Sequence, residues 1–497
     1  MSNLSELLPT GGGQNVVEFV ANGNLSSGQA VRLKSDGKVE VITGASGSQT
    51  VYSAVDYGGG APNNTKGYGV AYSTNANKFV FLYTNPSYYL YAVVGTISGN
   101  GFTYGTPVVM TSRITYAACL HYNSANATIF FAYGTDDPPR YGYVRGASIS
   151  GTNLSLGSEL AFATYNQSPE FMQSVFDTST SRHILMYGVN DGNGLQPYVA
   201  AFSGSTGMSQ QIAQTVTSGL LNSSVNISYD SSQNACLLFG STTSAHQWYR
   251  AMTTSGSSFT FGTAITDGNV TVQPLVVASG FDKTTNKHLI GFRAASGNNN
   301  RLYLQHITLS GTTITYGGGV YGPTSITGPS LNCINIWYDE VGKTITAAYL
   351  GNGTVPSKIF PVDTSGSAPV VGTVVNGENA QQSKAIHATS GLLANASYRN
   401  ALTTMASSGA PRVFLYQNVY ASSDNTDLIG ITAEAISSGA TGPVNVLGGI
   451  NTAQSGLTIA SDYYVQGDGT ISTTSTGTAV KVGQAVSATT INMKDLT

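Results

Sequence analysis

The chain has 497 residues, of which 9% are charged, and a formal net charge of −3; Gly reaches 59 and Tyr 29. Ordinary soluble domains carry about 25% charged residues, so solubility here rests on neutral hydroxyl and amide groups, as in rigid extracellular or particle-borne proteins. With no basic block the electrostatic footprint of nucleic-acid binding is missing, and no apolar run reaches the ~20 residues of a membrane helix.

From the N-terminus, residues 1–14 offer one helical turn, then Pro9 and the run Gly11-Gly12-Gly13, and read as a flexible segment. This stretch has neither a basic n-region nor an apolar h-region, so no secretory signal is expected and synthesis is expected in a cytoplasm. Val16 to Ile42 reads as strands around the turn Lys34-Ser35-Asp36-Gly37, a hairpin signal.

A short box then recurs six times, starting at Tyr72, Tyr122, Phe176, Tyr229, Phe281 and Tyr338, with successive starts 50, 54, 53, 52 and 57 residues apart. Each copy is an aromatic strand end, a turn of Asp, Asn, Ser and Thr, and about five apolar residues. A period near 50 residues with four short strands per unit predicts a β-propeller rather than a solenoid. In the third unit strand A ends at Phe176, strand B is His183–Tyr187, strand C lies near Tyr198–Phe202 and strand D near Gln211–Val216. A seventh blade is expected from Lys384–Ala388, Ala401–Ala406 and Arg412–Val419, with Thr50–Tyr57 as its fourth strand. Closing the ring with both ends of the insert removes exposed edges. Six blades is the alternative.

Near the C-terminus the hairpin returns. Leu25 to Gly37 aligns without a gap on Leu457 to Gly469, at an offset of 432. Ile429-Gly430 with Ala435-Ile436-Ser437 pairs in the same way with Val482-Gly483 and Ala485-Val486-Ser487. The fold class is therefore all-β: a seven-bladed propeller over 50–425 inserted into a small β-sandwich or barrel-like module, followed by a second similar module. The first module is split into 15–45 and 427–449, and the second covers 450–497. Ends that lie close together make such an insertion tolerable.

Chemistry-bearing motifs are sparse. The Asp and Asn of the boxes are suited to capping their own turns rather than to catalysis. Ten arginines are scattered over the blades, and the six histidines form no H-x-x-x-H pair. Asn190-Asp191-Gly192-Asn193-Gly194 lacks the distal Glu of a calcium loop and reads as a turn. Cys119, Cys236 and Cys333 read as buried free thiols. No catalytic residue, metal site or cofactor is expected. The B–C connections vary while the boxes do not, and variable loops on a rigid scaffold carry recognition. Tyr88, Tyr89, Asp136, Asp137, Arg140, Tyr141, Trp248 and Arg301 are the candidate glycan-binding residues, the aromatics for stacking on sugar rings. The competing expectation is that Tyr89, Tyr141 and Trp248 begin strand C and pack between blades.

Ser5 to Gly13, Val17-Glu18-Phe19-Val20-Ala21 and the Gly28…Asp36-Gly37 hairpin resemble virion structural proteins of tailed bacteriophages. The C-terminal run from Gly456 to Met493 looks like a module of phage tail-fibre and related surface proteins, and also resembles capsid-decoration domains. The resemblance covers the two termini, about a fifth of the chain, and brings no catalytic residues. It implies a non-enzymatic protein of the virion surface that contacts other tail or capsid proteins, forms a homo-oligomer and presents the propeller to host-surface glycan. The alternatives are a capsid decoration or head-fibre protein and a glycan-degrading propeller enzyme.

Overall fold

The computed structural model of the chain describes residues 15–34, 36–42, 48–58, 69–136, 140–163, 169–190, 195–217, 221–242, 244, 246–255, 258–267, 272–294, 301–322, 333–339, 344–350, 357–377, 387–391, 399–405, 410–419, 428–466, 469–473, 475 and 480–493. Every regular element among them is a strand. The chain divides into two compact units, one of residues 49–417 and one of 1–48 with 418–497.

The larger unit is a seven-bladed propeller. The first five boxes close the hairpins between the first two strands of their blades, as with Leu221–Asp230 and Ala235–Thr242 in blade four. In blade three the four strands are Pro169–Asp177, Arg182–Asn190, Leu195–Gly204 and Met208–Thr215, antiparallel in that order. Blade seven joins His387–Gly391, Arg399–Met405 and Pro411–Val419 to Ser48–Val51 and Val55–Asp56 from the start of the unit. The composite blade excludes the six-bladed alternative. Its first strand is described from His387, and the expected start at Lys384 lies, with 378–386, outside the described residues. Each innermost strand lies against that of the next blade, and the seventh lies against the first.

Second strands are apolar through their middles because both faces are covered. Thr128–Thr135 is buried at every position. Side chains alternate across a strand, so Ile129, Phe131 and Tyr133 enter the core shared with blade one, while Phe130 and Ala132 enter the core shared with blade three. Burying a Leu or Phe side chain contributes roughly 1.5–3 kcal/mol, and each blade repeats this on two faces.

The smaller unit holds two five-stranded sheets of one topology. The first runs Val16–Val20, Thr441–Val446, Leu428–Thr432, Ala30–Leu33, Val39–Val41. The second runs Ile450–Asn451, Thr490–Asn492, Val480–Ser487, Asp462–Val465, Ile471–Ser472. The offset of 432 carries Ala30–Leu33 onto Asp462–Val465 residue for residue. It also carries the register shift at Val31/Arg32 onto that at Tyr463/Tyr464. Gly430 and Gly483 sit opposite these shifts, where a Cβ would come 2.1 and 2.2 Å from the carbonyl oxygens of Asn445 and Asn492. The two modules do not stand apart. Ala30, Ile42 and Ile431 of the first share one core with Tyr463, Val465, Val482 and Ile491 of the second. Asn451 Nδ2 donates to Thr432 O and Asn445 Oδ1 across the join.

Candidate functional site

The blade-one and blade-two B–C connections form one cluster around residues 113–115, where the chain enters blade two. In the first turn Asn85 Oδ1 accepts the N–H groups of Ser87 and Tyr89 at 3.0 and 2.9 Å. Tyr88 takes a left-handed conformation (φ 64°) to close it. The Thr115 N–H donates to Tyr88 O, and the Asp136 N–H donates to Ile114 O. Five of the sequence-predicted residues, Tyr88, Tyr89, Asp136, Arg140 and Tyr141, are thereby held around one segment. Asp137 lies outside the described residues.

Arg140 Nε approaches Asp136 Oδ1 at 3.1 Å, with both side chains substantially exposed. Such a pair contributes little to stability, so its groups remain available to a ligand. Tyr141 is half-buried, its ring 6.2 Å from that of Tyr143. Sequence reasoning missed what lies beneath. Arg113 stacks 4.6 Å over the Tyr143 ring and donates from Nη1 to Glu159 Oε2 at 2.9 Å. The Tyr133 hydroxyl donates to Glu159 Oε1 at 2.5 Å. Burial and the Glu159 carboxylate both raise the Tyr133 phenol, which stays protonated as the donor. Arg113 is 46 residues from Glu159 in sequence, and no local spacing links them.

Two predicted residues do not join this cluster. Trp248 is 3% exposed in the core between blades three and four, paired with Gly240 across its strand. Its indole is packing surface, not a sugar platform. Arg301 donates from Nη2 to Gly322 O at 2.6 Å and stacks 5.2 Å over Tyr321, so it ties the third strand of blade five to the end of the fourth. Arg145 and Arg250 are structural too. Each donates from Nε to a carbonyl beyond its own third strand, Gly157 or Gly262, and from Nη1 to the preceding blade, Met110 or Val216.

The central channel carries the other polar concentration. His121 Nδ1 lies 2.7 Å from Ser174 Oγ, and its Nε2 lies 2.9 Å from His183 Nδ1. Asn123 Nδ2 is 3.2 Å from His183 Nε2, while Asn123 Oδ1 already accepts the Ala125 N–H. The tautomers set the direction: Asn123 donating to His183 Nε2 makes His183 the donor to His121 and His121 the donor to Ser174, whereas an Nε2–H on His183 facing Gly204 O at 3.4 Å runs the relay the other way. Both rings must then be neutral. Burial lowers His183 to about 4, and burial reinforced by His183 holds His121 well below its ordinary value. The Ser174–His121 contact has the distance of a nucleophile–base pair. Among the described residues no carboxylate bonds to either ring, so the third member of a Ser–His–carboxylate triad is not seen there.

The box carboxylates are spent on the scaffold. Asp177 Oδ1 accepts Ser179 N–H at 2.9 Å, and Asp230 Oδ1 accepts Ser232 and Gln233 N–H at 2.8 and 3.0 Å. Asp282 and Asp339 reach the next blade, accepting from Thr364 Oγ1 at 2.7 Å and Asn400 Nδ2 at 3.1 Å. Among the described residues no group of three His, Cys, Asp or Glu could hold a metal ion. Cys119 and Cys236 are buried free thiols, and burial pushes Cys119 up to about 12. The Cys333 side chain and residues 191–194 of the calcium-like turn lie outside the described residues.

No protein-family model matches the chain, and no curated protein matches it. Among solved structures, a chain of the crystal structure of a mitotic checkpoint complex is similar at 12% identity, over 76% of this chain and 94% of that one, with a TM-score of 0.48. A likeness at that level says nothing about activity, ligand or partner.

Proposed function

We propose that this is a non-enzymatic protein of a bacteriophage virion surface, a tail-associated fibre component or adhesin. The unit built from both chain ends docks on other virion proteins and on further copies of the chain. The propeller presents the Tyr88, Asp136, Arg140 and Tyr141 cluster to host-surface glycan. The observation that carries the reading is where apolar side chains remain exposed. Among the described residues Val16, Val17, Leu33, Leu447, Ile459 and Val486 of the smaller unit are exposed, against Val109, Ile114, Tyr316 and Val370 of the longer propeller. Ile459 and Val486 are neighbours, since the Ala460 N–H donates to Ala485 O and the Leu457 N–H to Ala488 O. Exposed apolar surface gathered on one unit supports a protein-docking role, and that unit carries the resemblance to virion proteins. A catalytic reading has less support, because the histidines and box carboxylates described above are engaged within the scaffold.

Two measurements test this. A density map of particles whose genome encodes the chain should show a seven-fold pseudo-symmetric ring on the surface; its absence from purified particles ends the virion reading. The purified full chain on a glycan array of host envelope polysaccharides should bind, and Arg140→Ala should weaken binding roughly tenfold. Binding to no glycan, with the ring present on the capsid, would move the protein to a capsid-decoration role.

A further inference from the structure

The innermost strands of blades one, two, three, five and six enclose a cavity of about 310 Å³ in the middle of the ring. That is the lower end of the ~300–1,000 Å³ range of small-molecule sites, room for one compact ligand. None of its described lining residues is Asp, Glu, Lys or Arg. His121, the one titratable base among the described lining residues, is kept neutral by burial and by His183. An anion or a cation would find no counter-charge there and would lose its hydration uncompensated.

The wall nevertheless has hydrogen-bonding capacity to spare. Counting back three residues from the box aromatic gives Gly69, Cys119, Gln173, Asn226, Ala278 and Asn335 in successive blades, so three amides stand in one tier. Counting back two gives Leu120, Ser174, Ile227, Ser279 and Ile336 in blades two to six. Gly69, Cys119 and Asn226 of the first tier each face the second-tier residue of the next blade. Cys119 Sγ is 3.4 Å from Ser174 Oγ, and Ser279 Oγ donates to Asn226 Oδ1 at 2.6 Å. Gln173 breaks this pairing, because the place across from it is held by apolar Ile227. The side-chain amides of Gln173 and Asn335, both on the cavity wall, bond to none of the described residues. Ser174 Oγ accepts from Cys119 and shares one proton with His121 Nδ1, and Ser279 Oγ keeps lone pairs as acceptors.

We propose that this channel binds a single neutral sugar ring or a polyol of similar size. Such a ligand carries no charge and presents hydroxyls that each donate and accept, which suits amides and hydroxyls placed around an uncharged cavity. The site is separate from the Arg140 cluster, and the inference does not rest on assignment of the chain to a virion.

The test is calorimetric titration of the full-length protein with neutral monosaccharides (glucose, galactose, N-acetylglucosamine, rhamnose), and with phosphate and acetate as charged probes. One or more sugars should bind with one-to-one stoichiometry and the anions should not. Gln173→Leu and Asn335→Leu should each weaken sugar binding roughly tenfold or more, as for loss of a buried hydrogen-bond partner. Arg140→Ala should leave it unchanged, even where it abolishes glycan-array binding. Melting temperatures confirm folding, and Asn335→Ser with Ser279→Ala replaces either Leu variant that fails to fold. Silence from every sugar at millimolar concentration, anion binding of equal strength, or sugar binding unaffected by the variants would each overturn the proposal.

Discussion

Ala127 shows how a single backbone dihedral constrains the repeat. In the five boxes whose turns are described, the fifth residue after the aromatic lies in the left-handed region: Asn77, Ala127, Ser181, Asn234 and Asn286 have φ between 51° and 57°. That conformation costs an L-residue roughly 1–2 kcal/mol, and Asn tolerates it best after Gly because its side chain bonds locally. Three of the five copies have Asn. We expect Ala127→Asn to stabilise the protein by about 1 kcal/mol, seen as a rise of a few degrees in thermal unfolding; an unchanged or lower midpoint would show that the turn of blade two does not bear this strain. The turn itself was readable from the Asp, Asn, Ser and Thr content of the boxes. The positive φ was readable as well, from the recurrence of Asn at one place. At Trp248 a side chain suited to sugar stacking and one suited to a core are the same residue, and composition does not separate them. Burial decided that case, in favour of the strand-C expectation.

At the scale of the element, the boxes fix which blade faces which. Interfaces one–two, three–four and five–six are tied by the box tyrosine of the later blade, whose hydroxyl meets the earlier turn: Tyr122 at Asn75 N, Tyr229 at Thr178 Oγ1, Tyr338 at Thr284 Oγ1. At interfaces two–three, four–five and six–seven a polar residue before the box aromatic meets a polar residue opening the next second strand. His121 meets His183, Ser228 Oγ lies 2.7 Å from His288 Nδ1, and Trp337 Nε1 donates to Asn400 Oδ1 at 2.9 Å. The other interfaces place Ala71, Val175 and Gly280 before the aromatic, and Ile129, Cys236 and Ile345 at the strand opening. Asp230 Oδ2 comes within 3.9 Å of His288 Nε2 without forming an ion pair, because burial lowers His288 to about 3.

A matched pair should therefore be replaceable only as a pair. Ser228→Val leaves His288 Nδ1 buried without its partner, a loss of about 1–3 kcal/mol. Ser228→Val with His288→Leu should recover a large part of it, giving a positive coupling in a double-mutant cycle of urea unfolding. The same pair reports on acid. A histidine whose folded pKa lies below its unfolded value of 6.5 supplies stability that is complete above pH 6.5. That stability is lost as pH falls toward the folded pKa, since only the unfolded chain takes up the proton. The parent protein should weaken from pH 6.5 down to about 3, through His183 at about 4 and His288 at about 3, and the double variant should weaken less steeply. Additive single effects and identical acid profiles would refute the pairing. The periodic boxes made the blades visible in the sequence. The alternation between interfaces was not visible, because its partners lie 60 or more residues apart and only the ring brings them together.

At the scale of the molecule, the decisive contact is the one that makes the propeller a ring. Strand Ser48–Val51 completes the sheet against Pro411–Val419, with the Tyr52 N–H donating to Leu415 O and Arg412 Nε donating to Asp56 Oδ1 at 2.7 Å. The chain therefore enters and leaves the ring on adjacent strands. This was legible because two separate sequence signals required it: a blade one strand short, and a duplicated module cut in two by the insert. It also makes the edge conditional on about ten residues. A fragment of residues 48–419 contains every strand of the seven blades and should be monomeric, with a single cooperative unfolding transition. A fragment of residues 58–419 lacks the two short outer strands. Pro411–Val419 then presents a free row of N–H and C=O groups over a core that includes Val413 and Leu415, the kind of edge that templates aggregation. Light scattering at equal concentration should find the shorter fragment associated and the longer one not. If both are monomeric and melt together, ring closure is carried by the innermost strands alone, and the composite blade serves only to bring the chain ends side by side.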